Sequence, residues 1–74
     1  MSLARVRLGA RYRVTRVRVE GPVSYRLMEM GVIKGAEVQV LRRAPLGDPL
    51  HLRVGDYELS MRTSEAELVD VAAI

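Results

Sequence analysis

From Leu50 to Met61 the chain alternates apolar and polar residues with a period of two, broken once by Gly55-Asp56. Leu50, Leu52 and Val54 share one phase, with His51 and Arg53 in the other. Tyr57, Leu59 and Met61 then alternate with Glu58, Ser60 and Arg62. Successive side chains of an extended chain point to opposite faces, so the pattern is that of two half-buried strands. Gly55-Asp56 fits a two-residue hairpin turn with glycine at its first central position.

The same rules extend the pattern in both directions. A first strand is expected from Tyr12 to Glu20, with Tyr12 and Val14 in one phase and Val17 and Val19 in the other, so a bulge or bend must lie between. Leu8-Gly9 forms the turn leading into it. A second strand places Val38 and Val40 inward and Glu37, Gln39 and Arg43 outward. Between these strands, Gly21-Pro22 opens a short helix, since proline at the first helical position loses no hydrogen bond. Val23, Leu27 and Met30 form its apolar stripe, and Gly31 stands where a helix end needs a left-handed residue. Two helical turns do not hold in water alone, so this helix packs as a lid. Lys34-Gly35 supplies the following turn. Ser64 and Glu67 have the spacing of a capping box, and Val69 and Val71 fit a closing strand.

Seventy-four residues make one domain, 1–74, which buries only about 60% of its unfolded surface. Phe and Trp are absent, so the core is aliphatic, and frequent valine favours strands. No cysteine is present, which excludes disulfides and thiolate metal sites and suits a reducing compartment. No apolar run suffices for a signal peptide or a bilayer span, so a cytoplasmic location is expected. About five short strands, one lid helix and tight turns define a mainly β class, a small closed or nearly closed barrel.

The net charge of +3 is unevenly spread. Arg5, Arg7, Arg11, Arg13, Arg16 and Arg18 precede any acidic residue, whereas Asp56, Glu58, Glu65, Glu67 and Asp70 face only Arg62 at the other end. Pairing of the first and last strands would largely cancel this asymmetry. The arginines alternatively mark a nucleic-acid surface, a solvated strand face with a disordered N-terminal arm, or attraction to anionic lipid headgroups. Nucleic acid is not expected, because only Tyr12 lies among them as a stacking platform and no RNA-binding motif accompanies it.

Arg26-Leu27-Met28-Glu29-Met30-Gly31-Val32, then Lys34-Gly35 and Val38, resemble the FeoA family of ferrous iron transport accessory proteins. So does Arg42-Arg43-Ala44-Pro45-Leu46-Gly47-Asp48-Pro49, continued through Val54, Tyr57, Leu59, Arg62 and Glu65-Ala66. The resemblance runs from about Leu8 to Val71, with Lys34 standing where family members often carry proline. It implies an SH3-like barrel with a short helix, similar to a module of iron-dependent repressors. It also implies a cytosolic protein that supports the ferrous iron transporter FeoB, whose cytosolic region includes a GTP-binding domain.

The candidate partner-binding residues centre on the loop from Ala44 to Pro49. Pro45, Leu46, Gly47, Asp48 and Pro49 form a stiffened element presenting Leu46, flanked by Arg43 and Arg62. Met28 lies off the apolar stripe and is a further candidate contact, whereas Met30 belongs to the core. A tight connection whose Gly and Pro serve geometry alone is the competing reading of the loop. His51 is the only histidine; Glu58 across the hairpin would give it one weak oxygen partner, so no metal site is expected. No nucleophile motif, P-loop or dinucleotide fingerprint is present, which argues against an enzyme and against a cofactor. An arginine acting in trans on bound GTP, Arg43 or Arg62, is the one catalytic role that position allows. The expected function is binding to FeoB without catalysis, peripheral to the membrane at most and with weak self-association through exposed edges. The alternatives are a basic barrel that binds nucleic acid and the regulatory domain of a metal-dependent repressor. The latter lacks any helix-turn-helix segment here.

Overall fold

A computed structural model describes residues 1–74. A 3-10 turn (Leu3–Arg5) precedes β1 (Arg11–Val17), α1 (Pro22–Glu29), β2 (Glu37–Arg43), β3 (Leu50–Val54), β4 (Tyr57–Met61), α2 (Thr63–Ala66) and β5 (Val69–Ala73). The strands form one antiparallel sheet in the order β4-β3-β2-β1-β5. This is the mainly β, five-stranded, single-lid architecture that the alternation and the breakers predict. β4 and β5 are the two edges, and α2 carries the chain between them.

Two register shifts curl the sheet. One lies in β1 between Val14 and Arg16 against β5, where the change of phase requires it. The other, in β2 between Val40 and Arg42 against β3, is not signalled by the sequence. It reverses the phase beyond Leu41, so Arg42 faces solvent and Arg43 turns in. The expectation that Arg43 points outward is therefore corrected: its Nη2 donates to the Ala4 carbonyl at 3.1 Å.

β1 ends at Val17, three residues short of the expected Glu20. The cause is Ser24, which is wholly buried in the first turn of α1. Its Oγ donates to the Arg18 carbonyl at 2.6 Å and accepts from the Glu20 N–H at 2.7 Å. Those backbone groups are thereby withdrawn from any ladder, and Val19 is exposed. Leu27 is fully buried at the centre of the helix stripe, with Val23 and Met30 half-buried against the same core. Burial of one such leucine contributes about 1.5–3 kcal/mol, which holds a helix too short to persist by propensity. Gly31 ends the helix with φ +91°, and its amide donates to the Met28 carbonyl at 3.0 Å.

The N-terminal segment is not a disordered arm. Leu3, Ala4 and Val6 belong to the core, and Val71 N–H donates to the Met1 carbonyl at 2.7 Å, covering the outer edge of β5. The charge asymmetry cancels only in part. Arg18 pairs with Asp70 across β1–β5 at 3.0 Å, but Arg11 pairs with Glu37 of β2, and Arg13 donates to the Gly35 carbonyl. The capping box expected at Ser64 and Glu67 is also replaced. Both are exposed, and Glu65 instead accepts from the Arg62 N–H at 2.8 Å.

Candidate functional site

The loop between β2 and β3 is built by short local bonds. Gly47 N–H donates to the Ala44 carbonyl at 2.7 Å, closing a turn with Pro45 second, Leu46 third and glycine last. Proline in the second place and glycine in the fourth suit such a turn. Ala44 N–H donates to the Pro49 carbonyl at 3.0 Å, clamping the base, where the Asp48–Pro49 peptide is cis. Leu46 at the tip is 97% exposed, the most exposed large apolar side chain of the molecule.

Asp48 fastens this loop to α2. Its Oδ1 accepts from the Thr63 N–H at 2.7 Å and lies 3.0 Å from Thr63 Oγ1, while Arg62 Nη1 approaches Oδ2 at 3.5 Å. Thr63 Oγ1 also lies 3.3 Å from the Gly47 carbonyl. The Thr63 backbone bond, with the Thr63 hydroxyl and Arg62 beside it, holds the Asp48 carboxyl below the usual aspartate range. An acidic side chain from outside the helix thus supplies what an N-cap residue ordinarily supplies.

The site extends through Glu65 to the lid helix. Burial alone would push the Glu65 carboxyl up, but the Arg62 N–H and the Arg26 guanidinium outweigh it and lower it. Glu65 therefore joins α2 to α1, which also carries Met28. Of the expected contact residues, Asp48, Gly47 and Arg62 converge on Thr63, with Pro45, Leu46 and Pro49 in the same loop. Met28 is half-buried and linked to them only through α1 and Glu65. Arg43 stands apart, spent on the N-terminal carbonyls of Ala4 and Val6. Thr63 and Glu65 are organising residues that the sequence reading missed as such; the signal for Glu65 was its position three after Arg62.

Away from the loop, His51 Nε2 lies 2.6 Å from Glu58 Oε1, with Arg53 at 3.4 Å from the other carboxylate oxygen. The hydrogen bond with His51 keeps the Glu58 carboxyl low. The cluster is one imidazole and one carboxylate on an exposed hairpin, and no group of three or more His, Cys, Asp or Glu side chains converges anywhere.

Comparison with known proteins gives the architecture a context. The FeoA domain family matches residues 1–73. The chain belongs to the FeoA family. FeoA domains are small domains associated with ferrous iron transport. A Porphyromonas gingivalis protein named Fe(2+) transport protein A/Fe(2+) transporter FeoB fusion protein is 34% identical over all 74 residues; the chain spans 9% of that protein's length. The solution structure of a FeoA protein from Chlorobium tepidum is 42% identical, with a TM-score of 0.92 over the whole chain and 70% of its own. The zinc-complexed crystal structure of Stenotrophomonas maltophilia FeoA is 33% identical, with a TM-score of 0.85 over 97% of this chain and 89% of its own. That FeoA protein is described as a prokaryotic SH3 domain protein and a suggested ferrous iron transport activating factor. The SH3-like assignment made on family resemblance agrees with these structures. No helix is long and apolar enough to cross a membrane.

Proposed function

We propose that the chain serves ferrous iron uptake by binding the cytosolic region of the transporter FeoB through the Ala44–Pro49 loop, without catalysis. The observation that carries this reading is Leu46, 97% exposed on a loop closed on itself and fastened to α2. An apolar side chain held out in this way costs little entropy on burial in a partner's pocket, because the loop is ordered before binding. A turn made for connection alone has no use for leucine at its tip. The choice of partner is supported by the fusion relative, in which one chain bears both names. Fusion places the two parts at high effective concentration, an arrangement that benefits components that associate. Arg62 and Met28 would flank the anchor, with Arg62 restrained by Asp48.

Calorimetric titration with the cytosolic region of FeoB tests the reading. Leu46→Ala should weaken binding about 30-fold, the loss typical of a buried apolar anchor, with the melting temperature unchanged. Equal affinities would remove the loop from the interface. Absence of binding by the unaltered chain would remove FeoB as the partner.

A further inference from the structure

Where the N-terminal segment crosses the start of β1, the surface opens into a cleft of about 520 Å³. The charged side chains lining it are Arg5, Arg7 and Arg11, all cationic, beside apolar Ala10, Ala73 and Ile74. Arg5 and Arg7 take part in no ion pair, and Arg11 holds Glu37 only at 3.4 Å near the surface. Three exposed aliphatic side chains accompany these cations: Met1 and Ile74 in the cleft and Leu8 next to Arg7. Unpaired guanidiniums beside exposed aliphatic groups suit a boundary between phosphate and hydrocarbon. The other cleft of the molecule mixes Arg5 and Arg18 with Glu20 and Glu67, and offers no such field.

We propose that this face docks on an anionic phospholipid surface, with Arg5, Arg7 and Arg11 on lipid phosphates and Met1, Leu8 and Ile74 at the acyl boundary. A free phosphate ion has no use for the aliphatic groups. A nucleic-acid strand needs stacking platforms, and the one aromatic ring here is unavailable: Tyr12 is buried, its hydroxyl accepting from the Arg7 N–H at 3.2 Å. The inference goes beyond the FeoB reading and uses none of its residues. It orients the molecule, basic cleft toward the bilayer, whatever protein it meets there.

Co-sedimentation of the full chain with vesicles tests the proposal. Vesicles of equal parts phosphatidylglycerol and phosphatidylcholine should bind the chain, and pure phosphatidylcholine vesicles should not. At about 1 kcal/mol per basic residue near such a surface, Arg5→Gln with Arg7→Gln should weaken binding roughly 30-fold. Neither side chain makes a hydrogen bond, so circular dichroism should show the double variant folded. Lys34→Gln with Arg42→Gln removes the same charge from outside the cleft and should cost far less. Equal binding to neutral vesicles, no binding to anionic ones, or equal loss in both double variants would overturn the proposal. So would binding to a short single-stranded RNA in the absence of vesicle binding.

Discussion

The Asp48 carboxylate accepts the Thr63 N–H at 2.7 Å and approaches Thr63 Oγ1 at 3.0 Å, so a residue of the exposed loop caps the helix that follows β4. The loop is thereby ordered from two sides, by its own turn and by α2. Asp48→Ala should leave the sheet intact but release both partners together. Amide hydrogen exchange should then quicken at Gly47, Thr63 and Ala66 while Val38 and Val40 stay protected, with a modest fall in melting temperature. Uniform quickening would show that the bond supports the whole fold instead.

The folded protein should lose stability on the acid side. Asp48, Glu58, Glu65 and Asp70 all have carboxyl pKa values lowered by folding, Asp48 through Thr63, Glu58 through His51 and Asp70 through Arg18, while at Glu65 the Arg62 and Arg26 bonds outweigh burial. A depressed folded pKa gives stabilisation that is complete above the unfolded values, near 4, and lost as pH falls through the folded ones. The melting temperature should therefore hold steady from pH 7 to about 5 and decline below about 4. Asp48→Asn should flatten that decline. Because the Thr63 backbone bond is the chief cause at Asp48, its contribution should survive added salt better than that of the Arg18–Asp70 pair.

Gly31→Ala should destabilise through the backbone. With φ at +91°, a Cβ here is strained whatever the space, a cost of roughly 1–2 kcal/mol. The added carbon would also stand 2.7 Å from the Tyr57 hydroxyl. That hydroxyl is the far end of a side chain 46% exposed, so it can give way. Most of the loss should persist in a Tyr57→Phe background, as urea denaturation would show. A loss that vanished there would identify the contact, not the dihedral, as the cause.

Leu27→Ala should be near the limit of tolerance. Truncating a fully buried leucine costs about 2–5 kcal/mol. A chain of 74 residues has roughly 4–11 kcal/mol in all. The variant should melt at least 10 °C lower, with the β2–β3 pairing the last to lose amide protection. A smaller shift would mean that the lid helix contributes little to the core.

What could be read from the sequence was local. Leu50 to Met61 declares its hairpin because period-two alternation has one structural solution, and Pro22 and Gly31 bound α1 because each has a stereochemical reason to be there. Apart from the early end of β1 at Val17, which Ser24 causes from nearby, the misreadings are non-local. Leu3, Ala4 and Val6 lack strand or helix periodicity, and their burial depends on the far end of the chain. The cap on α2 comes from Asp48, fifteen residues before Thr63, so the nearer Ser64 and Glu67 drew the assignment. The bulge at Leu41 reverses the direction of Arg43 without any mark in composition. The loop itself was legible as an exposed element from its prolines and glycine, whereas its fastening through Thr63 and Glu65 was not.

The central claim is that Leu46 and its loop meet the cytosolic region of FeoB. The most direct measurement is a two-dimensional NMR titration of the isotopically labelled chain with that region, following every backbone amide. Saturable shifts concentrated at Leu46, Gly47, Asp48 and Thr63, and lost with Leu46→Ala, are the predicted result. Shifts confined to other surfaces, or none at saturating partner, would contradict the account.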